Sequence, residues 1–517
     1  MGLARTLTTV TLVAFTAAGS LLGLTVRPAL ADAPPVPEPG VPAGFRVVSR
    51  TPVAPGVERL ALERDKPPLR VNVARIAPNA AVSLRAVLSN DAVAGADPIV
   101  ERTSSMCQRV NCLLAVNGDF AGGDDEPLGG LLTGGELLRT PSQLQLSVGK
   151  DGSLSAGELG WSGTLVPTDL APLTLAGLNR AGAPDGLTLY TAAYGRTLET
   201  AGAATVVGFR NIEPAGRLLV GQTTMVEIIG LWEQLTGSAP SPVPADGGAL
   251  VGRGPAAEIL RSLWSRVQTG QVSSRALLRL DTQAGVAESL GGSPILIRDG
   301  ARWFADAANA FTNGRQPRTL VGWNSAGERL LVTVDGRQPD TSVGMTLAEA
   351  ADLLLALGAT DGINLDGGGS TTFVAGGTVV NTPSDVAVRR GDGEAILHLA
   401  SPGQEVIGHV ERPVTSALAV VPKNEVSVPP VPAQTGTASG NQALILAARS
   451  STDPGSVPIG SVPALVTRPA AGGGGALRVT AVVVDGLVAG ALALLVLRRR
   501  RGGSRARVRT DRAAMAA

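Results

Sequence analysis

Residues 362–374 read GINLDGGGSTTFV, a run of buried character followed by the carboxylate of Asp366, three glycines and three hydroxyls. Glycine is costly to order, so an ordered run of it usually lets backbone come close to something. A strand over Gly362–Leu365 puts Asp366 at a strand end, facing the turn. The pattern leaves the N–H groups of Gly367, Gly368, Gly369 and Ser370 free to converge on one anion, with the hydroxyls of Ser370 and Thr371 beside them. A carboxylate next to such a nest suits phosphodiester or sugar-phosphate chemistry. The bland alternative is a glycine-rich hairpin corner in which Asp366 bonds its own turn. A nucleotide-hydrolase phosphate loop is excluded, because the spacing is wrong and the lysine is missing.

The flanking sequence predicts how this corner is carried. Upstream, Thr346 and Glu349 form a capping box ahead of LAEAADLLLA, and Gly358 supplies the left-handed stop. Downstream, TTFVAGGTVVN predicts a hairpin turned at Ala375-Gly376-Gly377. Further strands are expected over Leu69–Ala77, Leu113–Phe120, Ala276–Asp281, Pro294–Gly300 and Arg329–Gly336. Helices are expected over Pro98–Val110 and over Pro255–Trp264, the latter with proline in its first turn. No fixed-period repeat is present.

The ends carry different signals. Residues 1–31 combine an early Arg5, a long apolar stretch and ALA before Asp32, which predicts a secretory signal peptide. A proline-rich lead follows over 32–44, then a folded region over 45–423 and a Pro/Gly/Ser-rich stalk over 424–477. Within residues 478–497, Val479–Leu497 is apolar apart from Thr480 and Asp485, long enough to cross a hydrocarbon core of ~30 Å as a transmembrane helix. The arginine-rich tail over 498–517 predicts a cytoplasmic end, hence a single-pass cell-membrane protein with its N-terminal domain extracellular.

The net charge is +1, with much of the positive charge in that tail, so the head has no basic stripe for nucleic acid. Cys107 and Cys112 are the two cysteines of a segment read as exported, and a local disulfide is expected. His398 and His409 lack metal-ligand spacing. The acidic loop Asp124-Asp125-Glu126 is either a solvated charge run or a weak Ca2+ site; no other metal or cofactor is expected.

Several further blocks accompany the corner: LLAVNGDF, PLGGLLTGGELLRT, SLGGSPILIRDG, PRTLVGWNSAGERLLVTVDGR, NTPSD and ERPVTSALAVVP. Together they closely resemble the phosphodiester glycosidase family, from about Val71 to Lys423. The resemblance implies an α+β fold with mixed β-sheets flanked by helices, and hydrolysis of a sugar-1-phosphodiester resembling an N-acetylglucosamine-1-phosphodiester. It also implies that Asp366 acts as general acid/base or aligns water, and that Arg318 grips phosphate unless it is a structural ion pair. Asn117 bonds a sugar hydroxyl or forms a turn, and Asp335 is a family acidic position or an Asp-Gly turn residue. Asp385 and Arg412 close the site and pair with each other, while Gly292, with Gly291, permits close approach.

Two departures stand out. Asp119 adds a carboxylate where the family usually has bare backbone, and residues 386–411 are inserted between Asp385 and Arg412 as a lid or extra hairpin. Glycosidic cleavage calls for a second carboxylate, for which Asp335 and Asp385 are the candidates. Two rivals to the enzyme are a non-catalytic surface module holding phosphorylated cell-wall glycopolymer and a structural protein with a tight β corner.

Overall fold

The computed structural model describes residues 40–423 apart from 95–98, 123–124, 181–183, 201, 305–309, 391–392 and 398–403. The expected signal peptide, stalk, membrane span and basic tail lie outside the described residues, as do His398 and Asp124. Among the described residues no helix is long and apolar enough to cross a membrane.

The main sheet has eight strands. Its centre is the antiparallel set Pro68–Ile76, Arg329–Val334, Arg318–Trp323 and Asp361–Asn364. The Arg329–Val334 strand, RLLVTV, is buried at every position. Leu330, Val332 and Val334 face one core and Leu331 the other, which explains an apolar run without alternation. Of the helices, α1 spans Thr103–Arg109, α2 Pro255–Gln268, α3 Ala310–Asn313 and α4 Leu347–Ala356. Helix α4 covers the outer face with Leu347, Ala350, Ala351 and Leu354. It begins at the expected capping box, and the chain leaves it through Gly358 at φ 96°.

The inner face packs on two five-stranded sheets. One orders Thr378–Val379, Phe373–Ala375, Leu114–Asn117, Ser416–Pro422 and Val82–Leu88; its first two strands are the expected hairpin. The other centres on Val286–Gly291 between Leu131–Thr133 and Gln145–Gly149. The fold is therefore built mainly of strands. The expected flanking helices reduce, on the main sheet, to α4 on one face, because a second layer of sheet occupies the other.

A closed seven-stranded barrel fills Trp161 to Thr282. It contains the one parallel pair among the described strands, Leu173–Leu178 with Leu187–Thr191. Leu165, Val207, Phe209 and Leu278 fill it, α2 adds Leu260 and Leu263, and Leu132 and Leu137 of the adjoining sheet complete the same core. The sequence shows these strands one by one. Closure depends on Trp161 pairing with Thr282, a contact between distant positions that local pattern does not display.

Three local expectations are refined. Helix formation near Cys107 is confined to α1, because Glu101 is bridged to Val414 in an extended arrangement. The Cys107–Cys112 disulfide is present and joins α1 to the approach of the Leu114–Asn117 strand. Asp385–Arg390 and Gly393–Leu397 pair as the extra hairpin, and Val406–Val410 adds a third antiparallel strand to it.

Candidate active site

The site lies where the Leu114–Asn117 strand of one layer meets the ends of Arg318–Trp323 and Asp361–Asn364 of the other. Asn117 is fully buried. Its Nδ2 donates to the Asp366 carbonyl at 2.7 Å, and its Oδ1 accepts from Thr319 Oγ1 at 2.6 Å and Thr372 N–H at 3.1 Å. Both polar atoms of Asn117 are engaged within the protein, so it clamps three segments instead of reaching for a sugar. The Asp366 N–H donates to Gly118 O at 3.0 Å, fixing Asp366 from both sides of its own backbone. Its side chain is half-buried and accepts from the Gly367 N–H at 2.9 Å.

A second carboxyl stands beside it. Asp119, 1% exposed, accepts from Phe120 N–H at 2.8 Å, Gln143 Nε2 at 2.9 Å and Gly129 N–H at 2.6 Å. A Cβ at Gly291 would lie 2.3 Å from its Oδ1, and one at Gly129 2.8 Å from its Oδ2, so both glycines are there to admit this carboxyl. Burial pushes Asp119 up to about 7; the N–H groups of Gly129 and Phe120 pull the other way, the Asp366 charge raises it further, and Arg180 lowers it. A carboxyl that keeps its proton near neutrality therefore faces a partly solvated one, the usual condition for splitting acid and base roles. Asp119 thus joins Asp335 and Asp385 as a candidate for the second carboxylate, and its charge interacts with that of Asp366. Its position after the NGD step was visible in the sequence, but its donors come from Gly129 and Gln143, which the sequence does not connect to it.

Asp335 and Asp385 are engaged elsewhere. Asp335, buried and raised to about 6 by that burial, accepts from Asn381 Nδ2 and Thr382 N–H, each at 3.0 Å. Asn381 in turn holds Thr371 O and Phe373 N–H, so Asp335 anchors the segment beyond the glycines. Asp385 and Arg412 form the expected pair, at 2.8 and 2.9 Å through two parallel bonds.

The glycine corner differs from the expected nest. Gly368 N–H donates to Pro317 O at 2.9 Å, Ser370 N–H to Gly367 O and Thr371 N–H to Gly368 O, each at 3.2 Å. With Gly367 N–H on Asp366, these amides close a short 3-10 turn on itself and do not converge on an outside anion. What comes close is now explicit. A Cβ at Gly367 would lie 2.7 Å from Pro317 O, at Gly368 3.0 Å from Arg337 Nη2, and at Gly369 only 2.0 Å from Arg412 Nη2. Ser370 is buried, and the Thr371 and Thr372 hydroxyls are buried with no hydrogen-bond partner among the described residues.

Two guanidinium groups are thus laid against the corner, that of Arg412 already paired with Asp385. Arg337, which sequence reasoning missed, follows the VTVDG strand end that drew attention to Asp335. Arg318 is not one of them. It is 1% exposed, donates to Met345 O and Gly314 O at 3.0 Å each, and burial with the nearby Arg337 charge lowers it to about 10. Its guanidinium ties the Gly314 and Met345 segments to the main sheet. Gly292 makes the close approach expected of it, with Asn364 O 3.0 Å from where its Cβ would be. In the acidic loop, Glu126 is ion-paired with Arg139, and among the described residues no group of three acidic, His or Cys side chains is arranged for a metal.

Residues 241–399 match the profile of the phosphodiester glycosidase family. The matched segment contains Gly292, Arg318, Asp335, the 366–371 corner and Asp385; Asn117, Asp119 and Arg412 lie outside it. The chain is 35% identical over 130 residues to N-acetylglucosamine-1-phosphodiester alpha-N-acetylglucosaminidase of Bos taurus, covering 23% of this chain and 24% of the bovine protein. The Homo sapiens protein of that name is 33% identical over 130 residues, with the same coverage. The alignments thus span about a quarter of the length of these curated relatives. In three dimensions the chain is similar to a hypothetical protein from Synechocystis, with a TM-score of 0.53 at 20% identity, covering 75% of this chain and 64% of that one. That likeness concerns the fold.

Proposed function

We propose that the chain is a hydrolase that cleaves the sugar–phosphate bond of a sugar-1-phosphodiester, with Asp366 as base and Asp119 as acid. The observation that carries this reading is the pair itself: a buried carboxyl raised to about 7 beside a half-buried one stitched to the end of a strand. Water gives a proton to Asp366 as its oxygen bonds the anomeric carbon. The bond from that carbon to the phosphate oxygen breaks, and Asp119, itself 1% exposed, gives its proton to the departing oxygen through one bridging water. Arg337 and Arg412, packed on Gly368 and Gly369, supply positive charge for the phosphate. The partial match to the phosphodiester glycosidase family supports the bond class, and the names of the bovine and human relatives support N-acetylglucosamine as the sugar.

The purified protein should hydrolyse members of a panel of sugar-1-phosphodiesters, N-acetylglucosamine first, with and without chelator. Binding without turnover across the panel would replace this reading with a phosphoglycan-holding module. We further propose that the catalytic region is displayed outside the cell on the single late apolar span. The support is the leader-like residues 1–31 and the arginines that follow residue 497. Protease added to intact cells should release the head and leave the tail; a protected head would refute the arrangement.

A further inference from the structure

The barrel reaches the site through the end of its Leu173–Leu178 strand. Asn179, buried and at φ 49°, donates Nδ2 to Leu138 O at 2.7 Å and to Thr191 Oγ1 at 2.9 Å, and its Oδ1 accepts from Thr191 N–H at 2.8 Å. That anchoring fixes where the next side chain goes. Arg180 donates Nη1 to Thr140 O at 3.3 Å and Nη2 to Pro127 O at 3.3 Å and to Leu128 O. Its two nitrogens therefore join the two segments that hold Asp119, one ending in Gly129, whose N–H donates to that carboxyl, and one leading to Gln143. The barrel core secures the same sheet from behind through Leu132 and Leu137.

We propose that Arg180, delivered by the barrel, is a positioning residue of the acid, clamping the loops that donate to Asp119 and setting a positive charge against it. The inference rests on the reading of Asp119 as the acid. Arg180 lies outside the segment matched to the family. The charged groups facing Asp119 are Asp366 from the glycine corner and Arg180 from the barrel. Phe120, Gly129 and Gln143 give neutral donors, and Glu126 of the same loop is already paired with Arg139. Arg180 opposes the rise that burial and Asp366 produce, so its loss moves the proton affinity of Asp119 upward.

Arg180→Gln and Arg180→Lys test this in the full chain with two readouts. The first is the pH profile of kcat/KM on an N-acetylglucosamine-1-phosphodiester. The second needs no activity: the pH dependence of the Tm difference between each background and its Asp119→Asn derivative. Arg180→Gln should displace the alkaline limb of the profile, and the pH at which the Tm difference changes, to higher pH. Arg180→Lys should restore both positions while turnover stays below wild type, because the charge remains and the fork is lost. A uniform loss of rate in Arg180→Gln with neither midpoint displaced would overturn the proposal. If Arg180→Gln fails to fold, Arg180→Lys decides: lower turnover with an unmoved limb supports the clamp, and wild-type turnover overturns it. If no variant hydrolyses any phosphodiester, the enzyme reading fails by itself, and the Tm readout still judges Arg180.

Discussion

Asp119 and Asp366 differ in how much water each one meets, and that difference sets separate tests for them. Asp366→Asn keeps the hydrogen-bonding shape and removes the base, so turnover should fall about 10²–10⁴-fold with the Tm little changed. Full activity in that variant would exclude Asp366. Asp119→Asn should cost a similar factor, and it should also change stability in a pH-dependent way. The folded value near 7 lies above an unfolded value of about 3.9, so the folded chain holds a proton that the unfolded chain releases between those limits. Stability from this group is complete below pH 4 and is lost as the pH rises to about 7; Asp335, raised to about 6, and Glu288, raised to about 7, act in the same sense. Tm measured from pH 4 to 8 should fall less steeply in Asp119→Asn than in wild type, and an unchanged slope would remove Asp119 from the account. Asp366 was legible in the sequence because strand, carboxylate and glycines adjoin. Asp119 was legible only as an oddity, because Gly129, Gln143 and Gly291 define its surroundings from elsewhere in the chain.

Helix α4 and the glycine corner mark the two extremes for elements. The helix was legible to its cap, since Thr346 and Glu349 satisfy each other within one turn. Thr346→Ala should therefore cost about 1 kcal/mol in chemical denaturation with activity retained. The corner was legible as a close approach, but which groups approach was not, because Pro317, Arg337 and Arg412 come from three separate segments. Gly369→Ala is the sharp test. Its new methyl group would overlap the Arg412 guanidinium and lie 2.3 Å from Asp385 Oδ1, so the ion pair must shift from its place against the corner. Loss of substrate binding is expected in this variant while Ser370→Ala, which adds no bulk, retains more of it; equal behaviour in a binding assay would show that the pair is dispensable. Arg318 teaches the converse. A PRT motif suggests a phosphate grip, yet in this fold the main sheet buries it, and carbonyls take its donors.

At the scale of the molecule, the layered half of the structure follows from strands that local pattern reveals, whereas the barrel follows from pairings that it does not. Strand periodicity tells each segment which face is apolar; it does not say that a sheet will close. The barrel nevertheless has a simple relation to its host. It begins and ends at adjoining points, with Gln283 N–H donating to Gly160 O at 3.2 Å, and the host strands Leu154–Gly157 and Val286–Gly291 lie on either side of the same neighbour, Gln145–Gly149. At a single doorway in the host, the chain therefore enters and leaves the barrel. A recombination event, or a gene designer, can exchange it like a cassette without rerouting the surrounding chain. The incoming module would have to offer, among other contacts, an apolar mouth to cap Leu132 and Leu137 and a cation presented where Arg180 now stands.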